Sequence, residues 1–148
     1  MTHVLTLPAG LRLLSSNERV HYRRRAEITA AIRAAAMAGC SEHPGLRAAM
    51  AAVPAGHPAM DHAYILGVLH PGSRRRIDPA NFYPSFKAAV DGLVDAGLLA
   101  DDDHTRVVGP DMRLGPISPR VPRISLVITE LTAAEHAAFA WGQAAPAV

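Results

Sequence analysis

Two groups of acidic residues are candidates for binding a divalent metal ion. Asp78 follows an arginine-rich stretch, and Asp101, Asp102 and Asp103 form a run of three. Carboxylate oxygens are the ligands that Mg²⁺ prefers, and bound Mg²⁺ can activate water and stabilise charge at a phosphate. The alternative for the run of three is a solvated turn, because acidic residues favour turns. The pattern therefore allows either phosphodiester chemistry or a plain surface turn.

Arginine triplets occur at two places, Arg23–Arg25 and Arg74–Arg76. The formal net charge is only +2 and the pI is about 9.1, so the positive charge is grouped rather than evenly spread. Grouped positive charge suits an anionic partner such as the DNA backbone. Arg19 and Arg33 can extend the first triplet into one basic helical face, which is otherwise only a solvated surface. Nucleases need guanidinium groups on the backbone beside acids on a metal, and this pairing favours the functional interpretation.

Alternating strands and helices must position these side chains. Strand signals are period-2 alternation and short apolar runs, and helix signals are apolar spacing of three and four with capping residues. The predicted elements are strand Thr2–Leu7, helix 17–38, a short helix within 46–53, strand 62–70, helix 83–99 stopping near Gly97, strands 105–108 and 123–129, and a helix from Thr132 through Trp141. The main order β-α-β-α-β-β-α indicates an α+β fold, a small mixed sheet packed with two main helices.

The length of 148 residues fits a single domain. We assign residues 1–143 to this domain and expect residues 144–148 to be a disordered tail. No apolar run is long enough to span a bilayer and the first residues do not resemble a secretory signal. The sequence therefore predicts a soluble, cytoplasmic protein without membrane contact.

The two acidic groups lie at opposite ends of the second main helix. An unbroken helix of that length would separate Asp78 from Asp101–Asp103 by roughly 25 Å. Either the chain folds back so that they approach each other, or they meet across a dimer interface. The sequence leaves both arrangements open.

Three stretches in the second half of the chain resemble the core of one known family. They are residues 74–81 (RRRIDPAN), 87–93 (KAAVDGL) and 96–103 (AGLLADDD). Residues 14–22 (LSSNERVHY) also fit, since the family places an Asn and an aromatic residue before its first helix. Together these spacings resemble the RusA-type Holliday junction resolvases over most of the chain, most weakly over residues 40–60.

This resemblance implies an RusA-like endonuclease domain that forms a homodimer, binds a four-way DNA junction and nicks two strands symmetrically with Mg²⁺ or Mn²⁺. Carried over by position, the family's first catalytic aspartate falls on Asp78, its lysine on Lys87 and its later aspartate on Asp102. Its usual second aspartate falls on Ala80, so one charged metal ligand is missing. The metal ligands expected here are Asp78, Asp102, Asp101 and Asp103, and Asn81 or His104 are further candidates for filling the gap.

Contacts with DNA are expected from the basic and polar residues of the two arginine regions. The predicted DNA-binding residues are Asn17, Arg19, Arg23, Arg24, Arg74, Arg75 and Arg76. Tyr22 and Phe82 can stack on unpaired bases at a junction, as aromatic side chains do on single strands, or they can pack in the core.

Two other hypotheses remain open. The chain can be a junction-binding protein that lost cleavage with the acid at Ala80. It can also be a regulatory module stabilised by zinc around Cys40, with His43, His57 and His62 at spacings reminiscent of a zinc site.

Overall fold

A four-stranded mixed β-sheet lies at the centre of the structure, a computed structural model that describes residues 1–140. Its strands are β1 (Thr2–Thr6), β2 (His62–His70), β3 (Val107–Leu114) and β4 (Arg123–Leu131). Their order in the sheet is β1-β4-β2-β3. Only β2 and β3 run parallel, and the chain crosses between them through a helix. The predicted α+β fold in a single domain is confirmed.

Two long helices cover one face of this sheet. The helices are α1 (Tyr22–Glu42), α2 (Pro44–Ala51), α3 (Tyr83–Asp95) and α4 (Ala133–Ala140), and a short 3-10 helix, Pro79–Phe82, precedes α3. On this inner face alternate residues of the strands are buried, among them Leu5, Ile65 and Leu126. Phe86 of α3 packs on β2, and apolar burial of this kind supplies most of the driving force for folding.

The first long helix begins later than the sequence predicts. The predicted start at residue 17 is wrong because the preceding residues form a separate turn, in which the backbone N–H of Ser15 donates to Glu18 (3.1 Å). The N–H of Ser16 donates to the carbonyl of Asn81 (2.7 Å), which holds this turn against the start of the second long helix. His21 caps α1 by accepting a hydrogen bond from the N–H of Arg23.

The end of α3 and the start of α4 follow the predicted signals. Gly97 has a φ of 88°, a left-handed conformation typical of the glycine after a helix, and its N–H donates to Val94. The predicted capping box is confirmed at Thr132 and Glu135, whose side chains each accept the other's backbone N–H at 3.1 and 3.0 Å. Trp141, the predicted domain end at residue 143 and the predicted tail 144–148 lie outside the described residues.

The third strand is longer than predicted. A strand over 105–108 followed by a loop is the sequence expectation, but β3 runs from Val107 to Leu114 through Gly109 and Pro110. β3 lies at the sheet edge, where a proline without an N–H is tolerated, and its pairing with β2 shifts register between Tyr64 and Leu66. Pairing with a neighbour therefore outweighs the local Pro and Gly signal.

Among residues 1–140 there is no helix with the length and apolar character needed to cross a membrane.

Candidate functional site

A close crossing of α1 and α3 sets the position of the charged residues on both helices. A Cβ atom at Gly92 would overlap the carbonyl oxygen of Arg33 and the side chain of Ala36, so only glycine permits this approach. The crossing places the Arg33 guanidinium against Asp95, with one hydrogen bond from Nη2 at 2.8 Å and a second from Nε. Both partners are partly exposed, so this two-point contact joins the helices at the surface.

The central feature of the site is a lysine held between two aspartates. The Nζ atom of Lys87 donates to Asp91, one helical turn later, at 2.6 Å and to Asp102 at 2.5 Å. We call Lys87, Asp91 and Asp102 the carboxylate–lysine site. The two carboxylates are mostly buried, with side-chain exposures of 23% and 21%, while the lysine side chain is 42% exposed. The lysine side chain is thus more exposed than either of its acids.

The electrostatics favour the charged forms of Lys87 and Asp102. The hydrogen bond from Lys87 is the main reason that the pKa of Asp102 lies below its usual value, although burial opposes the shift. Burial lowers the pKa of Lys87, but the hydrogen bonds to Asp102 and Asp91 outweigh it, so that the pKa is raised overall. The site therefore contains closely spaced carboxylates with one cation to balance them.

The acidic residues predicted as metal ligands have different hydrogen-bond partners in the structure. Asp78 caps the 3-10 helix, where its side chain accepts from the N–H of Ala80 (3.0 Å). Asp103 accepts hydrogen bonds from the backbone and hydroxyl of Thr105, and Asp101 accepts from the N–H of Asp102 (2.7 Å). Of the run of three, Asp102 is the one that reaches Lys87.

The contact of Asp102 is with Lys87 and not with Asp78, so the predicted approach of the two acidic groups is not seen within the described residues. Lys87 lies in the second turn of α3, and the chain after that helix returns so that Asp102 reaches it. Asp78 does not join this contact, because its side chain is turned to the 3-10 helix that it caps.

The N-terminal turn and the basic loop, which we define as Arg74–Arg76, lie at the same end of α3. The hydroxyl of Ser16 donates to the carbonyl of Asn81 at 3.1 Å, and the hydroxyl of Ser85 bonds both backbone groups of Leu14. Arg12, which precedes the N-terminal turn, and Arg75 of the basic loop line the same pocket. Two regions that are some sixty residues apart in sequence are therefore neighbours.

The arginines of the basic loop are exposed and unpaired. Within the described part of the chain, none of their guanidinium groups forms a hydrogen bond or an ion pair. Each such cation has its full charge available for an external anion.

The first arginine triplet is divided among different surroundings, because successive helical residues point about 100° apart. Arg24 pairs with Glu27 at 3.2 Å, and Arg23 lies over the Tyr22 ring. Arg25 and Arg33 line a groove of about 470 Å³ on the exposed face of α1. Arg33 also bonds Asp95, so one lining residue of this groove takes part in the contact between the helices.

Asp91 and Asp95 are candidate functional residues that the sequence predictions did not include, whereas Arg33 was expected only as part of the basic helical face. The spacing of Lys87 and Asp91 by four residues on a predicted helix is a signal that would have found the first of them. No local signal links Arg33 to Asp95, because their contact depends on the helix crossing at Gly92.

The carboxylates of the site offer an incomplete set of ligands for a metal ion. Residues 1–140 contain no group of three or more His, Cys, Asp or Glu side chains placed to hold a metal ion. The carboxylates of Asp91 and Asp102 nevertheless lie around one cation, and Mg²⁺ is commonly bound through one or two carboxylates with water and substrate phosphate. The pair fits such an open site and does not form a complete cage.

The zinc hypothesis gains no support from the placement of its residues. Cys40 is fully buried in α1, and burial raises the pKa of its thiol to about 11, whereas zinc binds the thiolate. His43 accepts from the N–H of Leu46 and contacts the Val4 carbonyl, while His62 contacts the carbonyl of Thr105. These residues are held by separate structural contacts.

No protein-family model and no curated protein matches this chain. Its function is therefore inferred from the chemistry and geometry of the described residues.

Proposed function

We propose that this chain is an RusA-type, metal-dependent DNA endonuclease that nicks four-way junctions symmetrically as a cytoplasmic homodimer. The observation that carries the proposal is the position of Lys87 between Asp91 and Asp102. This arrangement combines two carboxylates, which are hard oxygen donors, with a partly exposed lysine, on a chain whose α1 and basic loop carry exposed arginines.

Mg²⁺, or Mn²⁺, would be held by Asp102 and Asp91, with the substrate phosphate completing its coordination. When bound, it would supply an activated water and offset the negative charge of the phosphate. Asp101 lies beside Asp102 and can assist. Asp78 and Asp103, which were expected as ligands, hold local turns in this structure.

Lys87 would be the catalytic residue that acts directly on the phosphate. Its raised pKa keeps the ammonium protonated, and the one N–H that bonds neither aspartate can donate to a phosphate oxygen as charge develops there. Asp91 and Asp102 orient the ammonium by accepting its hydrogen bonds.

The DNA backbone would be held by the unpaired arginines. The basic loop lies beside the turn that carries Asn17 and Arg19, and the groove on α1 offers Arg25. Phosphate contacts of this type fix the position of DNA without reading its sequence, which suits an enzyme that selects a branched shape. Two copies related by a two-fold axis would match the two-fold symmetry of a junction.

The test is nicking of an end-labelled synthetic four-way junction by purified protein with Mg²⁺, beside a linear duplex. We expect paired nicks in the junction alone, and Asp102→Asn to reduce the rate by at least about 100-fold, as loss of transition-state stabilisation does. Asp61→Asn is the matched control, since Asp61 is exposed and is not one of the acids that bond Lys87. An Asp102→Asn protein that nicks as fast as the unmodified chain would refute the assigned site.

The second candidate function is junction binding without cleavage. It is favoured by a specific observation, the lack of a three-ligand group in residues 1–140. Ala80 is exposed, so an aspartate there can be accommodated. Under this hypothesis the unmodified chain binds junctions without nicking them, and Ala80→Asp gains Mg²⁺-dependent nicking. Nicking by the unmodified chain would exclude it.

A further inference from the structure

A second pocket, of about 300 Å³, opens beside the basic loop and contains none of the carboxylate–lysine residues. One side is apolar, formed by Leu11, Phe82 and Val121. Phe82 is half-buried and Val121 is 37% exposed, so a flat apolar surface is accessible from solvent. The volume is at the lower end of the range for small-molecule sites, which suits a single flat ring system.

The lining of this pocket also includes two charged residues that are paired with each other, Arg12 and Glu18. Arg12 donates to Glu18 at 2.5 Å, and that hydrogen bond is the largest cause of the lowered pKa of Glu18. A carboxylate acceptor and a guanidinium donor therefore lie side by side at the pocket. The hydrogen-bonding edge of a nucleobase presents the complementary pattern of donors and acceptors.

Arg75 completes the lining and differs from Arg12 in having no acidic partner among residues 1–140. Its neighbours Arg74 and Arg76 are also exposed. A ligand with an anionic group beside an apolar part would therefore match this lining better than a purely apolar ligand.

We propose that this pocket receives one unpaired nucleobase of the DNA, which stacks on Phe82 while Arg75 contacts its phosphate. The proposal rests on the proposed function, because it assumes that DNA lies across the basic loop. Proteins that hold an extruded base use stacking against aromatic or apolar side chains together with hydrogen bonds to the base edge. Both elements are present here.

The experiment compares binding of the full chain to two duplexes that differ at one position. One contains a single unpaired nucleotide, and the other has an abasic nucleotide at the same place, so the backbone charge is equal. Since stacking of a base on an aromatic side chain contributes strongly to single-strand binding, we expect the first duplex to bind roughly 5- to 100-fold more tightly. Equal affinities for the two duplexes would overturn the pocket assignment.

Single-residue variants test whether the binding preference arises in this pocket. Phe82→Leu keeps an apolar side chain for packing, and we expect it to reduce the preference to near one while binding to the abasic duplex is retained. Tyr83→Leu, at an adjacent exposed residue that does not line the pocket, is the matched control and should keep the preference. Arg75→Ala should weaken binding to both duplexes and lower the salt dependence by about one phosphate contact.

The outcomes separate this proposal from the proposed function. A Phe82→Leu protein with the full preference would overturn the pocket and leave junction nicking intact. A chain that binds neither duplex nor a junction would refute DNA binding itself, and the pocket assignment with it.

Discussion

The carboxylate–lysine site and the basic loop are both highly charged, yet their charges are arranged in opposite ways. At the first, Lys87 is shared by Asp91 and Asp102, and the neighbouring Arg33 is matched by Asp95. At the second, Arg74, Arg75 and Arg76 have no acidic partner within the described residues. One region is therefore internally balanced and fixed by packing, while the other leaves its guanidinium groups exposed to solvent and available to an external anion.

The largest effect should come from removing the cation of the balanced region. Lys87→Met leaves Asp91 and Asp102 facing each other without a counter-charge and removes the donor for phosphate. We expect the junction nicking rate to fall about 100-fold or more. Arg47→Met, a change of the same charge at an exposed residue of α2, should leave the rate unchanged. Full activity of Lys87→Met would remove Lys87 from the reaction.

Neutralising the basic loop should weaken DNA binding without affecting folding. For the triple change Arg74→Gln, Arg75→Gln and Arg76→Gln we expect the slope of log affinity against log salt to decrease by up to about 2.7, or 0.9 for each lost phosphate contact. The free energy of unfolding should change by less than about 0.5 kcal/mol, since the side chains have no internal partners. Salt-dependent binding and urea unfolding measure the two quantities, and an unchanged salt slope would contradict the assignment.

The dependence of the balanced region on packing can be tested at Gly92. Replacing an exposed helical glycine by alanine ordinarily stabilises a protein by about 1 kcal/mol. Gly92→Ala should instead destabilise it by about 1–3 kcal/mol, because the methyl group must displace the α1 backbone. Gly39→Ala is the matched control, since its methyl would meet the flexible end of Leu5. A stabilising Gly92→Ala would show that the helix crossing is looser than described.

The smallest effect is the response to acid. Because the pKa of Asp102 is lowered in the folded state, its contribution to stability is complete above the usual value near 3.8 and is lost as pH falls through the folded pKa. Unfolding by urea between pH 2.5 and 6 should show a steeper loss for the unmodified chain than for Asp102→Asn. The difference should be about 1 kcal/mol or less, since Lys87 is partly exposed.

The basic loop provides the contrast in the same titration. Arg75→Ala should follow the unmodified chain at every pH, because its guanidinium has no acidic partner whose pKa it could shift. A changed acid response in Arg75→Ala would mean that the loop is not independent of the carboxylates.

Local sequence signals were sufficient where each element depends on its own residues. The alternation in β1, the apolar run in β2, the capping box at Thr132 and the glycine stop at Gly97 all correspond to the structure. These features depend on contacts between residues close in sequence, so the sequence carries them directly. The α+β class follows from their order.

Tertiary structure decided where α1 begins, how long β3 is and which residues form the carboxylate–lysine site. Ser16 bonds Asn81 instead of opening a helix, and β3 continues past Pro110 because β2 pairs with it. Lys87 meets Asp102 because the chain folds back after α3. Side chains distant in sequence become partners only when packing fixes their positions, and no local pattern contains that information.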